Sequence, residues 1–338
     1  VMPEFYPWHQ SHWNSLMASQ IAKRMPHAIL LMGPEGMGKR SFASNLIQAL
    51  SCEYPQKGGH GCGSCAGCRL QLAGSHPDNL TLFPREGKQT ISVNQIRQLH
   101  SHLALKARQS LFKTVIIYPA EEMTLSAANS LLKILEEPPG RTVLLLITSA
   151  SLRLPITIRS RCQQLFFTIS KSQEVKMWLQ QRLPPSMNLD AVTLLRLSGG
   201  GPLRALEYVE QNFLFYRKEF INNLFSLTQG KLDLFEMVRS CLKDNLGEPL
   251  YWISTLVEDT IRLRSGVSKR FLVNHDVANS LQLLARRASF EMLFALLKKA
   301  SCNREIWKGQ ININPQLLLE EILIQWLICF SKVNHEHT

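Results

Sequence analysis

Residues 27–39 read HAILLMGPEGMGK: an apolar run without polar alternation, then Gly33, Gly36 and Gly38 in quick succession, then Lys39. An uninterrupted apolar run of this length is expected of a strand covered on both faces. The segment after it, SFASNLIQALSC, repeats its apolar residues near helical spacing. A buried strand, a glycine-rich turn and an amphipathic helix commit the first part of the chain to an α/β architecture. Gly33, four residues, Gly38 and Lys39 follow the pattern of a phosphate-binding loop, in which backbone amides curl around phosphate at a helix N-terminus and the lysine reaches the terminal phosphates. The pattern then asks for a serine or threonine to hold magnesium, and position 40 is arginine. Ser41 comes one residue late, and one residue turns a helix by about 100°, so its hydroxyl is expected to point away from a metal.

Two further apolar runs, TVIIYP at 114–119 and TVLLLITS at 142–149, read as strands of the same parallel sheet. Between them SAANSLLKILEEPPG reads as a helix that Pro138 and Pro139 stop. Nucleotide hydrolysis needs a second element, a carboxylate at the tip of a buried strand to hold the metal and polarise the attacking water. The tip of the candidate strand carries Tyr118 and Pro119, which supply none. Glu121 and Glu122 fall beyond the proline and are expected to be an ordinary solvated pair.

Beyond about residue 168 the strand pattern ends. Short helices with a turn at Gly199–Pro202 are expected over 168–208, and helices alone from 209 on, the last of them with Asn314 as cap and Pro315 in its first turn. The expected organisation is an α/β domain over 1–167, a small helical domain over 168–208 and a C-terminal helical domain over 209–338.

Cys52, Cys62, Cys65 and Cys68 lie in CEYPQKGGHGCGSCAGC with spacing C-x9-C-x2-C-x2-C, and the glycines among them permit the tight turns that gather four thiolates. A closed tetrahedral zinc site fits best, against free thiols or a redox role for the overlapping C-x2-C pairs. His60 is expected to be a spare loop histidine, and Cys162, Cys241, Cys302 and Cys329 to be packed thiols. The cysteine insert could instead be an autonomous DNA finger, but it offers only Lys57 for phosphate and no helix long enough for a groove. The formal net charge of +12 suits an acidic partner such as nucleic acid. The start, VMPEFYPWHQSHW, lacks the pattern of a secretory signal, and no window approaches the roughly 20 apolar residues of a membrane span. A cytoplasmic location with no membrane partner is the expectation.

NSLLKILEEPPG followed by VLLLITSASLRLPITIRSRCQ, with HPD at 76–78 and the four-cysteine insert, resembles the AAA+ clamp-loader subunits of bacterial DNA polymerase III. Within that family the altered loop and the absent acidic pair, which falls on Tyr118 and Pro119 when counted back from Asn129, resemble the kind that does not hydrolyse ATP rather than the hydrolysing gamma/tau kind. YPW at 6–8 points the same way. The resemblance implies an AAA+ P-loop domain with a zinc-binding insert at 52–68, a helical lid, and a C-terminal collar that joins a hetero-pentamer with gamma/tau and delta subunits. That complex loads the sliding clamp onto primed DNA. Arg161, in the family's Ser-Arg-Cys motif, would be an arginine finger entering the neighbouring subunit's ATP site. Thr148 or Ser149 falls at the family's sensor 1 position and Arg204 at sensor 2. The implied subunit performs no hydrolysis in cis and holds no ATP and magnesium productively. The alternative is an ATP-binding, weakly active AAA+ subunit of the same complex, for which Lys39 is the surviving argument.

Overall fold

The computed structural model describes residues 3–168, 173–184, 190–241, 247–309 and 314–331. The chain divides into two compact units, Val1–Leu206 and Glu207–Thr338.

In the first unit, α1 (Gln10–Ile21) precedes the first strand β1 (Ala28–Met32) and the loop that enters α2 (Lys39–Leu50). The chain continues through α3 (Ala66–Leu72), β2 (Asn79–Leu82), α4 (Val93–Ala104), β3 (Lys113–Ile117), α5 (Leu125–Glu136), β4 (Thr142–Thr148), α6 (Ile156–Arg159) and β5 (Gln163–Phe166). Helices α7 (Gln173–Gln180), α8 (Ala191–Leu197) and α9 (Pro202–Glu210) follow. The expected helical stretch from 168 begins partly outside the described residues.

The five strands form one parallel sheet in the order β2-β3-β4-β1-β5. Successive side chains of a strand alternate between faces, which explains why the strands lack polar alternation. Leu30, Val115, Ile117, Leu144 and Leu146 join one core with α4 and α5, while Ile29, Leu31, Ile116, Leu145 and Ile147 join another with α1 and α2. Helix α2 turns Phe42, Ala43, Leu46, Ile47 and Leu50 to that second core, the spacing of a single helical face. Thr124 caps α5 by accepting from Ala127 N at 3.2 Å, and the helix ends two residues before Pro138.

Strands β2 and β5 and helices α1, α3, α4 and α6 were not anticipated. Strands β2 and β5 have only four residues each, and β5 is largely exposed, so neither writes an apolar run into the sequence. Helix α4 opens with a capping box in which Ser92 and Gln95 hold one another, a signal legible in SVNQ. Between α3 and β2, Asp78 of the HPD segment is fully buried. Its carboxylate accepts from the amides of Arg108, Gln109 and Ser110 at 2.7–2.9 Å, and so fixes the turn that leads into β3.

The second unit is helical among the described residues: α10 (Phe213–Thr228), α11 (Leu234–Cys241), α12 (Gly247–Arg264), α13 (Ala278–Arg287), α14 (Phe290–Gly309) and α15 (Pro315–Phe330). Asn314 caps α15 as expected, accepting from Gln316 N at 3.0 Å. A polar network crosses this unit's interior, with Asp259 bound by Asn274 and Arg262, and Arg217 bound by Asn274 and Asp276. Of the isolated cysteines, Cys162, Cys241 and Cys329 are packed, but Cys302 is exposed, because it lies on the outward side of α14.

Candidate functional site

The parallel order sets the carboxyl ends of β1, β3 and β4 side by side, where loops of open α/β sheets gather their chemistry. The 33–38 loop, Tyr118 and Ser149 meet there. Gly33 has φ +143°, and a Cβ on it would stand 2.1 Å from the Phe167 carbonyl oxygen, so only glycine fits. At Gly38, φ +74°, a Cβ would strike the Tyr6 ring at 2.6 Å.

The loop is gripped from both sides. Trp8 Nε1 donates to Met37 O at 3.0 Å, and His9 Nε2 lies 2.9 Å from the same oxygen. Leu203 N at the start of α9 donates to Gly36 O at 3.0 Å. His9 is fully buried among aromatic rings, and burial lowers its pKa to about 4, which keeps it neutral. Tyr6 and Trp8 stack on each other and both meet Trp178 of α7 edge-on. The YPW segment therefore ties the loop to the helices that follow the sheet.

Lys39 turns back into its own loop. Its ammonium donates to Gly33 O and Pro34 O, each at 2.6 Å, and to Ser149 Oγ at 3.2 Å, so all three of its N–H groups have protein acceptors. Burial lowers its pKa to about 8, opposed by the nearby charges of Glu121 and Glu35. Ser149 rather than Thr148 faces the loop; the Thr148 hydroxyl is turned aside to accept from Ala150 N. Arg204 lies against the loop, its backbone nitrogen 2.6 Å from where a Cβ of Gly36 would be.

The positions where the phosphate-loop pattern expects a hydroxyl and a strand-tip carboxylate hold Arg40 and Tyr118. The Arg40 guanidinium lies over the Tyr118 ring, 4.8 Å from its centroid, so the two residues that replace the hydroxyl and the carboxylate contact each other. The Ser41 hydroxyl donates to Glu4 O. Glu121 and Glu122 are not a solvated pair. Glu121 accepts from Ser149 N at 3.0 Å, and Glu122 forms an ion pair with Arg153 at 3.1 Å, because a short 3-10 turn at Ala120–Glu122 folds both back under the end of β4. Sequence reasoning missed Glu121 as a loop neighbour, having read Pro119 as the end of the strand's influence.

Arg161 stands outside this cluster, just past α6. Its guanidinium donates to Thr157 O at 3.1 Å and pairs with Glu136, at the end of α5, at 2.7 Å.

The four cysteines converge on a single point. Cys52 follows α2, Cys62 and Cys65 lie in the glycine-rich turn, and Cys68 is in the first turn of α3. Their four sulfur atoms lie within 4.8 Å of one another, a group that could hold a metal ion. The Cys62–Cys68 and Cys52–Cys65 sulfurs are 4.0 and 3.9 Å apart, close to the roughly 3.8 Å edge of a tetrahedron with 2.3 Å zinc–sulfur bonds. Amides of Cys62, Cys65 and Cys68 donate to the sulfurs of Cys52, Cys62 and Cys65 at 3.2–3.4 Å. The amides of Cys65 and Ser64 lower the Cys62 thiol to about 6, which favours the thiolate a metal binds. The residues present thus fit a closed all-sulfur site. His60 is no spare residue: its ring stacks on Trp13 at 4.4 Å and 3°, and Trp13 Nε1 donates to Gly58 O, so the insert is docked on α1.

Loop, parallel sheet and following helices together define a P-loop-like α/β protein with Arg40 and Tyr118 in contact beside the loop. Two family models described as the delta subunit of DNA polymerase III and its C-terminal part match residues 8–171 and 211–327. DNA polymerase III subunit delta' of Pseudomonas aeruginosa is 33% identical over 96% of this chain and 98% of its own, and that of Escherichia coli K12 is 33% identical over 95% of each. The tau subunit of Bacillus subtilis DNA polymerase III is 31% identical over 48% of this chain and 28% of its own. The chain belongs to the delta prime (delta') subunits of DNA polymerase III.

Proposed function

We propose that the chain is a non-hydrolysing clamp-loader subunit that supplies Arg161 to the ATP site of an adjoining gamma/tau subunit. It works in the cytoplasm within a hetero-pentamer with gamma/tau and delta subunits, helping to place the sliding clamp on primer-template DNA. The observation that carries this reading is the Arg40–Tyr118 contact. Arg40 sets a positive charge at the position where the pattern needs a metal-binding hydroxyl, and neither a guanidinium nor a neutral phenol is suited to hold magnesium. Lys39, with its three donors spent on Gly33, Pro34 and Ser149, supports a loop kept as a rigid joint. Loss of metal placement together with loss of the strand-tip carboxylate removes the main electrostatic contributions to phosphoryl transfer.

Arg161 can act elsewhere because it is an exposed, always-charged fork whose five N–H groups suit phosphate oxygens. Placed beside the transferring phosphate of a neighbour, it would stabilise the charge that develops there. Cys52, Cys62, Cys65 and Cys68 hold a structural zinc that braces the insert against α1 and leaves no position open to substrate.

One observation favours a second reading, residual nucleotide binding: the intact glycines and Lys39 keep the loop's shape, and Glu121 adds a carboxylate within the lysine's field. The isolated chain separates the two. The proposal predicts no ATP turnover above that of a Lys39→Ala control and no magnesium-dependent ATP binding at millimolar nucleotide. Turnover that Lys39→Ala abolishes would establish the weak ATPase instead.

A further inference from the structure

The finger is not free in this chain, and what holds it is specific. Arg161 NH2 meets Glu136 Oε1 at 2.7 Å while NH1 reaches Thr157 O at 3.1 Å. Both bonds come from rigid supports. Glu136 is the last residue of α5, whose Leu131, Ile134 and Leu135 are buried in the sheet's core, and Thr157 belongs to α6, anchored by buried Ile158. The two side chains of the pair are 38% and 50% exposed, so the fork sits at the surface with solvent on its remaining side.

We infer that Glu136 is a positioning residue for the finger, presetting the direction in which Arg161 meets a neighbour's phosphate; this rests on the reading of Arg161 given above. An arginine has several rotatable bonds and loses much conformational freedom when it is immobilised. A carboxylate at one NH2 hydrogen and a carbonyl at one NH1 hydrogen fix the plane of the guanidinium. They consume two of its five N–H groups and leave the others to an incoming anion. An exposed ion pair holds a side chain without locking it, so the fork can adjust when phosphate arrives. Glu136 touches no reacting atom, and its contribution is geometric, the kind that governs turnover rather than substrate affinity.

The test is steady-state ATP hydrolysis and clamp loading by the reconstituted complex carrying Glu136→Ala, Glu136→Gln, Arg161→Ala or Glu136→Ala with Arg161→Ala, with assembly checked by gel filtration. Expected is a roughly tenfold fall in kcat at the adjoining site for Glu136→Ala with KM for ATP unchanged. Glutamine, whose side-chain carbonyl accepts the same bond, should restore most of the loss, and the double variant should be no slower than Arg161→Ala alone. Normal or faster turnover with Glu136→Ala, while Arg161→Ala is defective, would overturn the positioning role and leave the finger standing. Multiplying losses in the double variant would also overturn it, by showing that Glu136 acts apart from Arg161. Normal turnover with Arg161→Ala would remove the finger reading itself, and the positioning role with it.

Discussion

Asp78 shows how much one side chain can fix. Burial pushes its carboxyl up, but the amides of Gln109, Arg108 and Ser110 and the Ser110 hydroxyl outweigh burial and hold it below its ordinary value. A lowered folded-state pKa contributes stability that is fully present above the unfolded value of 3.8 and is lost as pH falls through the folded value. Asp78→Asn is therefore expected to destabilise the chain by about 2–3 kcal/mol at pH 7. Urea denaturation should show that gap closing below about pH 4. A gap that stayed constant to pH 2 would mean the charge of Asp78 contributes nothing. At the phosphate loop, the residues Arg40 and Tyr118 are each legible in the sequence as departures from a pattern, but their contact is not. They lie in separate segments, and only the pairing of β4 with both β1 and β3 brings them together.

The cysteine insert was legible as a group that could hold a metal ion, because four cysteines at that spacing among glycines can converge. Its anchorage was not. The stack of His60 on Trp13 joins a loop to a helix nearly fifty positions away, and no local pattern announces such a contact. If zinc organises the insert, removing it should loosen that joint as well as the ligand loop. Chelation, or Cys65→Ser, is expected to abolish bound zinc and raise amide exchange over residues 52–72. The Trp13 fluorescence should shift as His60 leaves it, while the exchange of β1 and β4 stays slow. Unchanged Trp13 emission in verified metal-free protein would sever the proposed link between metal and α1. The long buried strands β1, β3 and β4 were readable from uninterrupted apolar runs, whereas β2 and β5 escaped notice because four residues at the sheet's edges carry too little pattern. Glu136 was visible in LEEPP only as a polar residue at a helix end; its partner twenty-five positions on required the fold.

Across the whole molecule the charge is unevenly shared. Val1–Leu206 carries 22 lysines and arginines against 11 aspartates and glutamates, and Glu207–Thr338 carries 16 against 15. The net charge of +12 that the sequence presents as a property of the chain thus belongs almost entirely to the unit that holds the sheet, the loop and Arg161. The second unit, nearly neutral and built of helices around an apolar core, suits association with other helices better than attraction to phosphate. No helix among the described residues is long and apolar enough to cross a membrane. This division suits the proposed role, in which the first unit brings positive charge to a neighbour's phosphate.

Hydrolysis at a neighbouring subunit can be examined in the reconstituted clamp loader by comparing Lys39→Ala with Arg161→Ala in clamp-dependent ATP hydrolysis and loading onto primed DNA. Normal loading is expected with Lys39→Ala and a fall of at least about tenfold with Arg161→Ala. Normal loading with Arg161→Ala, or a loss confined to Lys39→Ala, would contradict it.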